Sequence, residues 1–196
     1  MEERKIEQVD GSTMRGHVTL TQYEGLRDPN SILDLHLGKK KKPEGIILVE
    51  KKNLIVNTGK MLMAHILGND PLASPIRYIA FGSGNYDEGV ATPAPEKTDF
   101  KLITEEFREP VLYNYDDGSP NYSVTFTAVA LADDHPTTSA ISEIGLCVNP
   151  VQGTPNASTL DLFSYITFPA VFFNANAPVS MGLVVDWEIV FETIGS

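Results

Sequence analysis

Residues 182–194, "GLVVDWEIVFETI", constrain the fold most. Leu183, Val185, Trp187, Ile189 and Phe191 fall on one side of an extended chain, and Asp186, Glu188 and Glu192 on the other. Side chains alternate across a strand with period two, so this is a half-buried strand whose apolar row needs a second layer to cover it. "NYSVTFTAVAL" repeats the pattern, with Tyr122, Val124, Phe126, Ala128 and Ala130 on one face and Thr125 and Thr127 on the other. Further strand candidates are His17 to Tyr23, Ile46 to Val56, Ile76 to Phe81, Pro110 to Tyr115, Ile141 to Val148 and Leu160 to Phe168. Eight strands separated by turn residues predict a mainly β protein, an antiparallel β-sandwich with one short α-helix and an extended N-terminal arm.

The helix is expected over about residues 58–67 of "NTGKMLMAHILGN", with Asn57 or Thr58 capping the first turn and Gly68 ending the last. A helix this short is not stable alone, so it should pack on the sandwich through Met61, Leu62 and Ile66. His65 reads as a packing or hydrogen-bonded residue. "NDPLASP", "DEGVATPAPEKTD", "NYDDGSPN" and "ADDHPTTS" carry the Pro, Gly and Asp of exposed turns. Residues 1–16 are polar without a packing pattern and read as the arm, expected to dock on a neighbouring chain; residues 17–196 read as a single domain.

At 196 residues with 42% apolar content, the chain can bury one substantial core. A net charge of −11 and a pI near 4.7 argue against nucleic-acid binding, which needs clustered Lys and Arg. The exception is Lys39, Lys40, Lys41 and Lys42, a run that reads as a solvated loop able to meet an acidic neighbour. The single cysteine, Cys147, allows no intrachain disulfide, and its setting in "IGLCVNP" suggests a small buried hydrophobe. The N-terminus lacks the apolar core of a signal peptide, and no segment approaches the roughly 18 apolar residues of a membrane helix. The expectation is a soluble protein made in the cytoplasm, with no membrane partner.

Motifs for chemistry are sparse. In "IRYIAFGSGNYDEG", Gly82, Gly84 and Gly89 match neither phosphate-binding glycine pattern, and the prolines of "VATPAPEKTD" exclude an immediate helix. The glycines therefore read as a tight exit from a strand. Ser83 lies between two glycines with no following helix, which does not fit a nucleophile elbow. His17, His36, His65 and His135 lack partners at metal-ligand spacing, so no metal site is expected. Asp116–Asp117 and Asp133–Asp134 fit no EF-hand loop. Glu105 and Glu106 would project to opposite faces of a strand, a poor start for an acid–base pair. Neither catalytic residues nor a cofactor are expected. Tyr113, Tyr115 and Tyr122 could form a sugar-stacking platform, although strand and turn aromatics are the plainer reading.

In order along the chain stand "NLIVNTGKMLMAHILGND", "IRYIAFGSGN", "ATPAPEKTDFKLITEEFREPV", "AISEIGLCVNP", "LFSYITFPAVF" and "MGLVVDWEIVF". This order resembles the tail-collar fibre family of tailed bacteriophages, in which an N-terminal module anchors a tail fibre to the virion, and it is similar to small virion proteins on the same plan. The matching residues are Asn57, Thr58 and Gly59 before the helix, Gly82 and Gly84 after the strand, and Thr92 and Pro93 in the next loop. Leu102, Arg108 and Glu143, Ile144, Gly145 and Leu146 continue the match, which covers about residues 53 to 192. The family module usually opens a long fibre, whereas residues 1–52 precede the match here and the sequence stops at Ser196 without a shaft.

The resemblance implies a non-enzymatic structural component of a tailed-phage virion, a collar, tail or fibre-attachment subunit and not itself a receptor-binding fibre. Its partners would be other virion proteins (tail, collar, fibre or capsid subunits), and it would form a homo-oligomer. A capsid decoration (cement) protein is the alternative, and a carbohydrate-binding β-sandwich module a more distant one. Expected partner contacts are Met1, Arg4 and Arg15 of the arm, Lys39 to Lys42, and Thr92 and Pro93.

Overall fold

The computed structural model describes residues 14–24, 45–70, 74–86, 89–116, 122–138, 140–149, 161–173 and 181–191. These residues form ten strands and one α-helix: β1 (Met14–Glu24), β2 (Ile46–Lys52), β3 (Leu54–Ile55), α1 (Asn57–Leu67), β4 (Tyr78–Gly82), β5 (Glu105–Pro110), β6 (Leu112–Asp116), β7 (Tyr122–Leu131), β8 (Ala140–Cys147), β9 (Leu162–Phe172) and β10 (Met181–Phe191). They make two antiparallel five-stranded sheets, ordered β2-β1-β10-β7-β6 and β3-β9-β8-β4-β5. The mainly β architecture thus follows the alternation in the sequence.

The two sheets pack face to face. Val18 and Leu20 of β1, Phe126 and Ala128 of β7 and Val185, Trp187 and Ile189 of β10 meet Ile79 and Phe81 of β4, Ile144 and Leu146 of β8 and Ile166 and Phe168 of β9 in one core. The register explains why the alternation works: Trp187 lies opposite both Val18 and Phe126, so one face of three neighbouring strands is apolar at the same level. Each fully buried aliphatic or aromatic side chain contributes about 1.5–3 kcal/mol.

The second sheet is covered on both faces. Behind it Val56, Ala80, Leu102, Cys147, Leu162 and Tyr165 form a smaller core, roofed by the segment carrying Leu102. All eight residues of β8 are therefore buried, which accounts for its nearly unbroken apolar run.

The element boundaries correct the sequence reading in several places. Ile46 to Val56 is two strands, because the chain crosses between sheets at Asn53, whose amide Nδ2 donates to Ser164 Oγ at 2.6 Å and whose backbone N–H donates to Gly16 O at 3.1 Å. Pro110 to Tyr115 also divides, with β5 in the second sheet and β6 in the first. β5, "EEFREP", is missing from the strand candidates, although Glu105 and Glu106 are placed on a strand in the sequence reading, because its charges mask a strand at a sheet edge. β9 extends to Phe172, and Leu160 lies outside the described residues. β1 begins inside residues 1–16, expected to form the arm: Met14, Arg15 and Gly16 pair with Phe191, Val190 and Ile189. Residues 1–13 lie outside the described residues, with Met1 and Arg4 among them, as do Lys39 to Lys42 and His36.

The helix packs differently from expectation. Its buried residues are Thr58, Gly59 and Leu62, while Met61 and Ile66 are 47% and 44% exposed. Gly59 sets this orientation, since a Cβ there would stand 2.0 Å from the Phe163 carbonyl oxygen of β9. Neither Asn57 nor Thr58 caps the helix. Val56 is the N-cap residue without a side-chain bond, and the Thr58 hydroxyl instead donates to Leu162 O at 2.6 Å. Gly68 ends the helix with ordinary φ, and the left-handed residue is Asn69 at φ 55°.

Candidate functional site

Gly82 and Gly84 of the sequence motif meet Glu143 behind the second sheet, whereas Thr58 and Gly59 pack on β9 and Ile144 and Leu146 face the main core. Glu143, in the middle of β8, is fully buried. Its Oε1 accepts the backbone N–H of Thr104 at 2.8 Å and of Gly84 at 3.2 Å, and its Oε2 accepts that of Ile103 at 3.0 Å. The Tyr165 hydroxyl of β9 donates to the same Oε2. Burying a carboxylate without partners would be prohibitive, and these donors meet that demand. Burial and then the Glu143 charge push the Tyr165 phenol above its ordinary range, so it remains a donor.

The glycine loop is a cradle, but its occupant belongs to the protein. Gly84 has φ +58°, and a Cβ there would lie 2.3 Å from Thr92 Oγ1 and 2.6 Å from Ser142 Oγ. A Cβ on Gly82 would meet Thr104 O at 2.5 Å and Glu143 Oε1 at 2.6 Å. The backbone therefore approaches Glu143 as glycine loops approach a phosphate, and the N–H of Gly84 is engaged. Around it, Ser142 Oγ donates to Ser83 O at 2.6 Å, Thr92 Oγ1 lies 2.7 Å from Ser142 Oγ, and the Asn85 N–H donates to Thr92 Oγ1 at 3.3 Å. Thr92, expected to face a partner, thus turns its hydroxyl inward, while Pro93 is exposed.

Gly145 and Arg108 complete the set. A Cβ on Gly145 would lie 2.7 Å from both Leu102 and Leu162, so the glycine lets the roof close on the sheet. The Arg108 guanidinium on β5 forms a two-pronged pair with Glu105, Nε to Oε1 at 2.7 Å and Nη2 to Oε2 at 2.8 Å. It also reaches Asp161 Oδ2 at 2.9 Å and Asn149 O at 2.7 Å. Only 3% of this side chain is exposed. Burial opposes its charge, but the hydrogen bonds it donates to Glu105 and Asp161 outweigh that and hold its pKa above the ordinary value. This clasp ties an edge strand to the start of β9.

Other polar groups are also paired within the chain. His135 stacks on Phe107 at 3.5 Å between ring centroids and bonds Glu109 at 2.6 Å; burial raises the Glu109 pKa despite that partner. His65 bonds Asp70 at 2.5 Å, and His17 lies 3.5 Å from Glu50. No group of three or more metal-ligating side chains occurs among the described residues. Ser83 Oγ donates to Glu106 Oε1 at 2.6 Å, a hydroxyl–carboxylate pair and not a hydroxyl–imidazole one. Burial raises the Cys147 thiol above its ordinary range, which makes it the inert hydrophobe its setting suggested. An open groove of about 600 Å³ runs between residues 89–94 and β9, flanked by Lys51, Tyr86 and Phe168. Lys51 bridges the sheets at its rim by donating to Thr167 O at 2.9 Å.

Tyr165, Ser142, Asp161 and the His135–Glu109 pair were missed in the sequence. Glu143 itself carried a readable signal, since a lone acid inside the apolar run "AISEIGLCV" implies a buried charge with partners nearby. No family, curated protein or solved structure matches the chain. No helix among the described residues is long and apolar enough to cross a membrane.

Proposed function

We propose that this chain is a non-enzymatic structural subunit of a tailed-bacteriophage particle, of the collar, tail or fibre-attachment class, working with other virion proteins. The observation that carries the reading is the assembly around Glu143. Gly82, Gly84 and Glu143, which carry part of the resemblance in sequence, meet in one buried assembly whose polar atoms bond one another. A site built for catalysis leaves acids, bases or N–H donors facing a cleft, whereas this one directs them at an internal carboxylate. Bonds from Gly84, Asn85, Ile103 and Thr104 anchor the chain on either side of Val90 and Pro93, which are exposed for a neighbouring subunit.

The test is gold-labelled antibody localisation by electron microscopy on purified particles from the source lysate. Label at the neck or tail supports the attachment subunit. Label across the head makes the chain a capsid decoration protein, and no label on intact or disrupted particles refutes the virion reading. One observation favours a carbohydrate-binding alternative: Tyr113 and Tyr115 are exposed and meet edge to face at 5.4 Å. Glycan binding abolished by Tyr113→Ala or Tyr115→Ala would establish it.

A further inference from the structure

Among the described residues the two sheets present four edges, and three of them are guarded. An exposed edge strand offers a row of unpaired backbone groups, which proteins blunt with charges, bulges, proline or shortness. β5 carries Glu105, Glu106, Arg108 and Glu109 and pairs through a register shift at Phe81/Gly82. β2 ends in Glu50, Lys51 and Lys52 and pairs through a shift at Leu20/Thr21. β3 has only two residues. β6, "LYNYD", has none of these devices within its centre: it pairs in unbroken register with β7, its first four residues are uncharged, and all five are exposed.

We infer that β6 is a self-association edge, pairing antiparallel with β6 of a second copy of this chain about a two-fold axis through Asn114. This inference goes beyond the virion reading and does not depend on it. A two-fold axis makes the contact self-complementary and closed, so the product is a dimer with a continuous ten-strand sheet. With Asn114 opposite its own copy, Tyr113 lies opposite Tyr115 of the second copy, and Tyr115 opposite its Tyr113. Aromatic pairs across strands are favourable partners. The two tyrosines share a face, since they lie opposite Phe126 and Val124 on β7. At 61% and 70% exposed, they would bring up to about 500 Å² of surface from two copies, taking about 200 Å² for a whole tyrosine. That is roughly half of the ~1,000 Å² a specific interface needs; the β6 backbone and Leu112, 49% exposed and opposite Asp116 of the second copy in this register, add to it. The interface is therefore of modest size, and the dimer reversible.

The test is sedimentation equilibrium of the full chain across two decades of concentration, with paired charge variants. The parent is expected to pass reversibly from monomer to dimer. Tyr113→Lys and Tyr115→Glu should each weaken self-association more than tenfold, and an equimolar mixture should restore a mixed dimer, because the stated register sets Lys opposite Glu. Asn114→Cys under oxidised glutathione should give a disulfide-linked dimer, since directly opposite residues stand about 4.5–5.5 Å apart between Cα atoms, within disulfide range. Cys147 is buried and stays silent in that assay. A parent that stays monomeric throughout overturns the proposal. So does a dimer that survives the charge variants, or a mixture that does not restore association. Circular dichroism matching the parent separates a lost interface from a lost fold.

Discussion

Replacing Glu143 by Gln tests whether the buried carboxylate holds the second sheet to its roof. The amide has nearly the same shape but only one acceptor oxygen. Placed at the Oε1 position, that oxygen keeps the N–H groups of Thr104 and Gly84, at 2.8 and 3.2 Å from Oε1 in the parent. The NH2 group then faces Tyr165, which can turn its hydroxyl to accept, and the Ile103 N–H, which cannot. One buried N–H left without an acceptor costs about 1–3 kcal/mol, and the two retained bonds lose their charge assistance, about 1 kcal/mol each. The lower desolvation cost of an amide offsets part of this. The expected net loss is about 2–4 kcal/mol, a large fraction of the ~5–15 kcal/mol typical of a domain. Urea unfolding followed by the fluorescence of Trp187, the single tryptophan and fully buried, measures it directly. Tyr165→Phe should cost about 1.5–3 kcal/mol, and the double variant should fall short of the sum of the two losses. A Glu143→Gln protein within about 0.5 kcal/mol of the parent, with an unchanged denaturant slope, would refute the reasoning.

Arg108→Leu strands Glu105 and Asp161 as buried charges and should cost about 3–5 kcal/mol in the same assay; a loss below about 1 kcal/mol would show that the clasp holds little. Gly59→Ala should be destabilising despite the roughly 1 kcal/mol that alanine ordinarily gains in a helix, because its Cβ meets backbone at 2.0 Å. A rise in melting temperature would contradict that packing. Alkaline stability follows from Tyr165 and Cys147, whose folded-state pKa values are raised above the ordinary 10.0 and 9.0. Above those values the unfolded chain releases protons that the folded chain retains. Stability contributed by these groups is therefore intact below about pH 9 and lost as pH rises, by up to about 1.4 kcal/mol per pH unit for each group. Urea midpoints between neutral pH and pH ~11 check this, and Tyr165→Phe should flatten the upper part of the limb; an unchanged profile would contradict it.

What the sequence determined by itself was local and periodic. The alternation of Leu183, Val185, Trp187 and Ile189 specified a half-buried strand, and along β7 the same logic placed Tyr122 and Ala128, six residues apart, on one face, because side-chain direction in a strand depends only on residue parity. The helix and the two-layer architecture followed from signals of that kind. Two of the boundaries that failed lie where the chain changes sheet, at Asn53 and Val111, since a crossover alters partners without altering composition. β5 escaped for the related reason that its charges are matched by residues distant in sequence.

The candidate site shows the same division more sharply. "FGSGN" and "EIGL" stood out in sequence, but their relation did not. The donors to Glu143 are the backbone N–H groups of Gly84, Ile103 and Thr104, and only tertiary structure brings them to one carboxylate 39 to 59 positions away. Every residue but proline carries such an N–H, so no residue type announces which three will be used. The sequence alone marked Glu143 as an acid in an apolar strand; folding decided that a glycine loop, a roof segment and a tyrosine of the next strand would surround it, because the backbone donors that make its burial affordable exist as a set only once the sheets have closed.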